Sequence, residues 1–464
     1  MLFSSISFLY YFLPLVLISF FVAPKKYKNI ILLIFSLFFY FYGEGKLTIV
    51  LILSCTINYF IAILIDRNNK ESKRKFWLVI GLIVNLSLLI YFKYFNFFLE
   101  NINHLLNVNI AYLNVVMPLG ISFFTFQALS YLVDVYRKEV KADLNIINLT
   151  TYITLFPQLV AGPIVRYQTI KKELINKDIS YENISYGINR FIIGLSKKVL
   201  LANNLGLLVS LLKETPDSTL SMWLISISFT LQIYFDFSGY SDMAIGLGRI
   251  FGFKFLENFN YPYISKSITD FWKRWHISLS SFLKDYVYIP LGGNRCSKSR
   301  WIFNIVTVWF LTGFWHGAQW NFILWGLYFA IILLVEKFFI KDFIENKKII
   351  NHIYVMFLVI ISFTIFNGES LIEVFNNLKL MFSFNGNLYT LESIYYLKSF
   401  SIILIISVIS STPIIKNIIN KINDKYNKSI IINIIFIVGI MILFIITTAY
   451  LIDSTFNPFL YFRF

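Results

Sequence analysis

The fold is decided by long apolar stretches, and the most informative is residues 301–335, WIFNIVTVWFLTGFWHGAQWNFILWGLYFAIILLV. Its single histidine, His316, stands in surroundings suited to lipid or to dense protein packing. A polar group at membrane depth costs free energy and usually faces a protein interior or a wet cavity. Gly313 and Gly317 flank the ring and allow another backbone or a substrate to come close. Basic residues lie beyond both ends, so we expect a tight hairpin or a re-entrant pair with His316 near its turn.

The composition predicts a polytopic α-helical membrane protein. Hydrophobic residues make up 57% of the 464 residues and charged residues only 14%. Such a chain is too apolar for an ordinary soluble domain. We expect an all-α fold with about eleven transmembrane helices plus re-entrant and interfacial helices. The apolar blocks lie near 6–23, 30–43, 47–65, 76–99, 115–136, 184–212, 222–236, 301–335, 349–366, 398–412 and 430–452.

The charges between the apolar blocks predict the orientation in the membrane. Lys and Arg collect in short gaps, which is the positive-inside pattern, and they would also contact anionic lipid headgroups. The net charge of +16 therefore does not indicate nucleic-acid binding. The alternation places both termini outside the cell and the stretch 254–300 in the cytoplasm.

Residues 149–165, which Pro157, Gly162 and Pro163 interrupt, are expected to be re-entrant. Lys197 and Lys198 are expected to interrupt the block 184–212, so its first half should lie along the interface.

His316 is the first candidate site residue. A histidine can accept a hydroxyl proton while the oxygen attacks an activated acyl group. An apolar wall would protect an acyl donor from hydrolysis. A histidine that bridges helices by hydrogen bonds is the alternative, and the residues alone leave the two equally open. Asn304 and Asn321 add amide groups, and five of the nine tryptophans crowd this stretch, namely Trp301, Trp309, Trp315, Trp320 and Trp325.

The second candidate is residues 269–280, TDFWKRWHISLS. If it is one helix, Trp272 and His276 share a face, and Asp270 and Arg274 are spaced for an ion pair. The pattern is typical of an amphipathic anchor at the cytoplasmic interface, and periodicity favours that interpretation. The alternative places His276 and Arg274 at the mouth of a cavity, where they could meet an anionic cytosolic donor.

The third candidate is residues 234–242, YFDFSGYSD. Two carboxylates near a span end must be solvated, paired or protonated. We expect Gly239 to break the helix between Asp236 and Asp242, which argues against a paired-carboxylate glycosidase site. Local stabilisation of the fold is the default, and a pocket role for Asp236 is the alternative. No phosphate-binding or nucleophile-elbow motif is present, and Cys55 and Cys296 suggest neither a disulfide nor a metal site.

Several motifs in order along the chain together resemble the membrane-bound O-acyltransferase (MBOAT) family, in its bacterial alginate O-acetyltransferase-like branch. The resemblance implies one membrane domain over 1–464, a helical ring around a funnel or tunnel, with a catalytic core at 115–340 and flanking transmembrane helices at 1–114 and 349–464. The motifs are Met117–Tyr131 (MPLGISFFTFQALSY), Leu155–Ile164 (LFPQLVAGPI), Tyr234–Gly246, Tyr261–Arg295 with FWKRWHISL and YIPLGGNR, Thr312–Gly326 and Asn457–Phe464 (NPFLYFRF).

The resemblance also implies functional residues and partners. His316 would be the catalytic histidine and His276 a second family histidine. We take the pocket candidates to be Asp236, Arg274, Trp275, Trp315 and Asn321, with no metal and no bound cofactor.

Acetyl-CoA is the expected acyl donor and an extracytoplasmic polysaccharide the expected acceptor. A secreted or anchored hydrolase-like acetyltransferase is the expected partner. D-alanyl transfer to teichoic acid and proton-coupled transport are the alternatives. One departure is Asn367, where this branch usually has an arginine, and it leaves the acceptor open.

Overall fold

The computed structural model describes residues 1–160, 162–214, 216–340, 347–384, 386–425, 429–453, 456–457 and 460. Within these residues the chain is helical and contains no β-strand. Ala161 of the motif Leu155–Ile164 and most of the C-terminal motif Asn457–Phe464 lie outside the described residues.

The α-helices follow the apolar blocks closely. In chain order they are α1 Leu13–Val22, α2 Lys28–Glu44, α3 Thr48–Arg67, α4 Glu71–Leu89, α5 Phe95–Leu106, α6 Ile121–Tyr136, α7 Ile146–Thr154, α8 Phe156–Leu159, α9 Tyr167–Ile175, α10 Tyr181–Ser196, α11 Asn203–Lys213, α12 Thr219–Ile250, α13 Ile268–Arg274, α14 Ile277–Leu283, α15 Lys298–His316, α16 Trp320–Val335, α17 Lys348–Asn367, α18 Leu371–Met381, α19 Leu391–Ser399, α20 Ser401–Ser410, α21 Ile414–Lys425 and α22 Ile430–Asp453. Short 3-10 turns lie at Lys25–Tyr27, Gly45–Leu47 and Pro262–Ile264, and π-helical turns at Phe8–Phe12, Ile90–Tyr94, Lys197–Ala202, Lys284–Tyr288 and Glu336–Ile340.

Seven helical segments among the described residues are long and apolar enough to cross a membrane, or eight if the bent pair α19–α20 is one span. The predicted count of about eleven is not confirmed. Part of the difference lies in the 43-residue segment Lys25–Arg67, which is counted once. Gly45 adopts φ 54° between α2 and α3. At 1.5 Å per residue each of these two helices is about 25–30 Å long, which is near the thickness of a bilayer core.

The chain divides into two compact units. Unit one comprises Met1–Phe191 and Met243–Leu256, and unit two comprises Ile192–Asp242 and Glu257–Phe464. In unit one, the interrupted stretch 149–165 forms the short helices α7 and α8, whose residues from Thr151 to Leu159 are buried. Irregular backbone at membrane depth is stable only when protein covers it, and this segment meets that condition.

Unit two has a large apolar core to which α11, α12, α13 and α15 to α18 contribute. Its centre is aromatic: Trp272 lies 4.5 Å from Trp309 and 5.7 Å from Trp325, centroid to centroid. Offset and edge-on aromatic pairs of this kind add stability beyond the area that they bury. All the candidate site residues belong to unit two.

Two helix predictions around this core are wrong. Gly239 does not break a helix, because α12 is continuous through it. A methyl group at Gly239 would lie 2.7 Å from the carbonyl oxygen of Gly194, so the glycine permits close packing between helices. Lys197 and Lys198 also do not interrupt their helix, which continues through the π-helical turn Lys197–Ala202 into α11.

Candidate active site

The hairpin of α15 and α16 positions His316 as the last residue of α15. Its two helices touch backbone to backbone. A methyl group at Gly313 would lie 2.2 Å from the carbonyl oxygen of Phe322, and one at Gly326 would lie 2.3 Å from that of Trp309. No side chain fits in these gaps, so the glycines are required for the hairpin. The predicted hairpin with His316 at its turn is therefore confirmed.

The His316 ring lies in an aromatic enclosure. The side chain is 2% exposed. Its ring centroid lies 4.9 Å from that of Trp315, 5.0 Å from that of Trp325 and 5.4 Å from that of Phe366. The geometry is edge-on in each pair, so the imidazole is held on several sides by apolar rings. Such a wall excludes water, and it strengthens electrostatic interactions made inside it.

His276 belongs to the same aromatic cluster. Its ring lies 5.8 Å from Trp315, which also contacts His316, and 4.7 Å from Phe237 at an interplanar angle of 87°. The residue is 0% exposed, and in the sequence it lies between the candidate membrane spans Thr219–Ile250 and Trp320–Ile340. Burial lowers the pKa of its imidazole from 6.5 to about 3. The ring is therefore neutral at physiological pH.

The helix predicted over 269–280 is not continuous. The α13 helix ends at Arg274, Trp275 is extended, and His276 has φ 44° before α14 begins. The left-handed backbone turns the imidazole into the core. Trp272 and Trp275 are 8% and 2% exposed, so this segment is a buried corner of the core and the amphipathic interfacial anchor is wrong. A left-handed conformation for a non-glycine residue is strained and persists only where the surroundings stabilise it.

A hydrogen-bond network around Asn258 stabilises this corner. Asn258 Oδ1 lies 3.2 Å from His276 Nδ1, 3.1 Å from the backbone nitrogen of Ser278 and 2.9 Å from Ser278 Oγ. The backbone nitrogen of Ile277 also donates to the carbonyl oxygen of Asn258. Asn258 is 0% exposed. It was not singled out in the sequence, because nothing in a single chain pairs it with a histidine 18 positions away.

Glu336 fixes the start of α13. Its carboxylate accepts hydrogen bonds from the backbone nitrogens of Ile268 at 2.7 Å and Thr269 at 3.1 Å, and from Thr269 Oγ1 at 2.8 Å. A carboxylate is favourable there because the helix N-terminus carries unpaired N–H groups and a partial positive charge. At the other end, the predicted Asp270–Arg274 ion pair is present at 3.0 Å. Arg274 also donates to the carbonyl oxygen of Asn260.

Asp236 is held in a buried ion pair. Its Oδ1 lies 2.7 Å from Lys198 Nζ, and the two side chains are 1% and 3% exposed. The second oxygen, Oδ2, accepts from the backbone nitrogen of Leu460 at 2.9 Å. A parallel pair joins Lys197 to Asp242 at 2.7 Å. These ion pairs could have been predicted from the sequence, because two lysines in one apolar block need two intramembrane carboxylates as partners.

Trp275 and Asn321 support the cluster from two sides. Trp275 packs on Tyr234, Phe259 and Phe363, with the nearest centroid at 5.1 Å. Asn321, 1% exposed, donates to the carbonyl oxygens of Phe366 at 3.4 Å and Gly368 at 2.6 Å. It thereby holds the end of α17, which carries the Phe366 ring that contacts His316.

Asn367, the last residue of α17, lines a small cleft. The cleft has a volume of about 220 Å³, and it is lined by Lys213, Pro216, Met222, Ile225, Asn367, Glu373 and Asn377. Lys213 Nζ donates to the Asn367 carbonyl oxygen at 3.3 Å and lies 3.4 Å from Glu373. In this chain a lysine from α11 therefore supplies a cation beside position 367.

The structure brings together His316, Trp315 and His276 directly. Phe237, the residue after Asp236, lies against His276. Asn321 donates to the carbonyl oxygen of Phe366, whose ring contacts His316. Arg274 is two residues from His276 and is engaged with Asp270. Within the described residues no group of three or more His, Cys, Asp or Glu side chains could hold a metal ion.

These features define a multi-pass membrane protein with a buried, aromatic-walled histidine site. Residues 32–365 match the membrane-bound O-acyltransferase family, MBOAT. The chain belongs to that family and is an acyltransferase.

Among its relatives, a probable alginate O-acetylase AlgI of Azotobacter vinelandii is 37% identical over 391 residues, covering 83% of this chain and 78% of the relative. A peptidoglycan O-acetyltransferase of Helicobacter pylori is 37% identical over 424 residues, covering 83% of this chain and 80% of the relative. A teichoic acid D-alanyltransferase of Bacillus subtilis is 34% identical over 249 residues, covering 51% of this chain and 62% of the relative. The two O-acetylating relatives thus match over the greater length.

Proposed function

We propose that the protein is a membrane O-acetyltransferase that moves an acetyl group from cytosolic acetyl-CoA to a hydroxyl group of an extracytoplasmic polysaccharide. The observation that carries the proposal is the buried His316 on an aromatic wall that it shares with His276 through Trp315. Family membership favours an enzyme over a proton-coupled transporter. The O-acetylating relatives favour acetyl over D-alanyl transfer, because the D-alanyltransferase matches only 51% of the chain.

In this mechanism His316 acts as the general base. It takes the proton of the attacking hydroxyl as the oxygen bonds to the thioester carbonyl carbon, and the carbon–sulfur bond breaks to release the thiolate of coenzyme A. The thiolate then takes up a proton. The aromatic enclosure excludes water, which would otherwise compete as the attacking nucleophile. Such positioning and proton transfer together are worth several orders of magnitude in rate.

The orientation of the site in the membrane is part of the proposal. The positive-inside pattern places 254–300, and hence the segment leading to His276, on the cytosolic side, and both termini outside. His316 would then lie between a cytosolic donor and an outward path. A hydrolase-like acetyltransferase outside the membrane would receive the acetyl group or finish its transfer to the sugar.

Acetyl transfer by purified protein in proteoliposomes tests the mechanism. With radiolabelled acetyl-CoA inside, and with a polysaccharide and the extracytoplasmic protein fraction that would supply the partner outside, His316→Gln should reduce labelling of the acceptor by at least about 100-fold, since it keeps volume and loses the base. His352→Gln is the matched control, because His352 is exposed and belongs to no motif. If His316→Gln retains full transfer, His316 is not the base. A product mass that corresponds to alanyl ester would assign the protein to D-alanyl transfer instead.

A further inference from the structure

The side-chain amide of Asn258 has only one possible orientation. The backbone nitrogen of Ser278 points at one end of that amide from 3.1 Å, and a backbone N–H can only donate. The atom that it meets must therefore be the oxygen, Oδ1. A flipped amide would place an NH₂ group against this N–H, with two donors facing each other. This assignment follows from the backbone and needs no observation of hydrogens.

The orientation of Asn258 determines the tautomer of His276. Nδ1 of His276 lies 3.2 Å from Asn258 Oδ1, which is an acceptor, so Nδ1 must carry the hydrogen. Among the described residues the Ser278 hydroxyl is the donor that competes at this position. It lies 2.9 Å from Asn258 Oδ1 and 3.5 Å from His276 Nδ1, so it donates to the amide and leaves Nδ1 to do the same. Asn258 Oδ1 thus accepts three hydrogen bonds, one of them from the imidazole.

The other ring nitrogen, Nε2, then carries a lone pair. In a neutral imidazole one nitrogen donates and the other accepts. Nε2 is buried, and no hydrogen-bond partner for it is found among the described residues. A buried acceptor with no partner costs about 1–3 kcal/mol, and Asn258 Nδ2 beside it is also buried with no partner found among the described residues. The lone pair is thus suited to accept a hydrogen bond from a group that enters the site.

The ring cannot easily turn to hide this lone pair. Phe237 meets it edge-on at 4.7 Å and Trp315 lies at 5.8 Å on the same aromatic wall as His316. The backbone at φ 44° and ψ 54° fixes the direction in which the side chain leaves the chain. Rotation of the ring would also break the bond to Asn258. The amide therefore holds both the tautomer and the orientation of the imidazole, as carboxylates and carbonyls do for functional histidines elsewhere.

We propose that Asn258 is a positioning residue that keeps His276 in the Nδ1–H tautomer, so that Nε2 accepts a hydrogen bond from an N–H or O–H group of a substrate. This inference rests on the proposed acetyl transfer. A thioester carbonyl has no hydrogen to donate, so the group must come from elsewhere in the substrates. If His316 takes the proton of the attacking hydroxyl, the donors that remain beside the reacting thioester are an amide N–H in the pantetheine arm of coenzyme A and a neighbouring hydroxyl of the sugar.

Nitrogen NMR of ¹⁵N-histidine-labelled protein in lipid bilayers tests the tautomer directly. The chain has only four histidines, so assignment with a His276→Gln reference is practical. The wild-type His276 should show a protonated Nδ1 and an unprotonated Nε2. In Asn258→Ala this preference should be lost, whereas Asn258→Asp should retain it because a carboxylate also accepts from Nδ1–H. An unchanged His276 spectrum in Asn258→Ala would overturn the proposal.

Kinetics then test whether Nε2 meets a substrate. Asn258→Ala should lower kcat/KM by about 10- to 100-fold, the usual cost of removing a group that orients a functional histidine, and Asn258→Asp should restore most of it. N-acetylcysteamine thioacetate, which keeps the first amide N–H, is compared with its analogue bearing an ester oxygen in place of that N–H. If the wild type reacts faster with the amide and Asn258→Ala does not distinguish the two compounds, the acyl donor supplies the hydrogen that Nε2 accepts. If Asn258→Ala raises KM only for the acceptor, a hydroxyl group of the acceptor supplies it.

The matched control is Asn58→Ala in unit one. Asn58 is also 0% exposed and hydrogen-bonded, to Asn85, so its loss disturbs folding to a similar degree without touching a histidine. It should lower the melting temperature and leave kcat/KM and the His276 spectrum unchanged. A loss of tautomer preference in Asn258→Ala with no change in kcat or in either KM would refute the substrate contact. Failure of His316 as the base would leave the NMR result intact, so the two proposals are separable.

Discussion

Lys198 and Asp236 form an ion pair that is almost completely shielded from solvent. Nζ and Oδ1 lie 2.7 Å apart, with side chains 3% and 1% exposed. Each charge depends on the other, because neither can be solvated by water where it stands. The neighbouring pair of Lys197 and Asp242 has the same length but is more exposed, at 24% and 8%. The two pairs therefore give a comparison in which burial differs and chemistry does not.

Asp236→Asn should destabilise the protein by about 3–5 kcal/mol, since it leaves the Lys198 charge buried without a counter-ion. Asp242→Asn should cost clearly less, because Lys197 can reach water. Melting temperatures in the same detergent compare the two variants. The double variant Lys198→Met with Asp236→Leu should recover much of the loss. Equal effects of the two single variants would show that burial does not govern these pairs.

Gly313→Ala should reduce both stability and acetyl transfer, because its methyl group would lie 2.2 Å from the Phe322 carbonyl oxygen and the hairpin would have to open. The control is Gly439→Ala in α22, where an added methyl group would meet nothing within 4 Å apart from the backbone of its own helix. That substitution should stabilise by up to about 1 kcal/mol through helix propensity. Thermal melting and transfer activity measured together decide the matter. If Gly313→Ala behaves like Gly439→Ala, the close approach is not essential.

Glu336→Gln should weaken the start of α13 and so loosen the segment that ends at His276. The amide offers one acceptor oxygen where the carboxylate offers two, and it loses the attraction to the helix N-terminus, together about 1–2 kcal/mol. We expect a several-fold fall in kcat with a modest fall in melting temperature. Glu392→Gln, in the first turn of α19, removes a carboxylate from a helix start away from the histidines. It should leave kcat unaltered, and a matching fall in both variants would contradict the role of Glu336.

The buried His276 should make stability depend on acidic pH. Its pKa is about 3 in the folded protein, compared with an ordinary value of 6.5. Between these values the unfolded chain binds a proton that the folded chain does not, so stability rises with pH. The contribution is complete above about pH 6.5 and is lost as the pH falls toward 3. Melting temperatures at pH 7 and pH 5 should therefore differ less in His276→Gln than in the wild type. His352→Gln should keep the wild-type difference.

Much of the fold followed from hydrophobic blocks, because helix existence depends on long runs of apolar residues that a single chain displays. The α15–α16 hairpin was predictable for the same reason, since basic residues flank it and glycines mark its turn. The α12 helix was not, because Asp236 and Gly239 resemble a helix end until Lys198 and the Gly194 backbone are seen to face them. The break at His276 was equally hidden. Its left-handed backbone is stabilised by Asn258, a tertiary contact that periodicity does not contain.

The backbone contacts of Gly313 and Gly326 also constrain how the enzyme can move. Two helices that touch at their main chains have no layer of side chains between them that could rearrange, so α15 and α16 must shift as one body. His316 and the Trp325 ring beside it then keep their spacing through any cycle of substrate entry and product release. Opening and closing must come from partners outside the pair, such as α17 with Phe366 or the corner at His276. Crosslinks within the hairpin should therefore be tolerated during turnover, whereas crosslinks from the hairpin to α17 should arrest it.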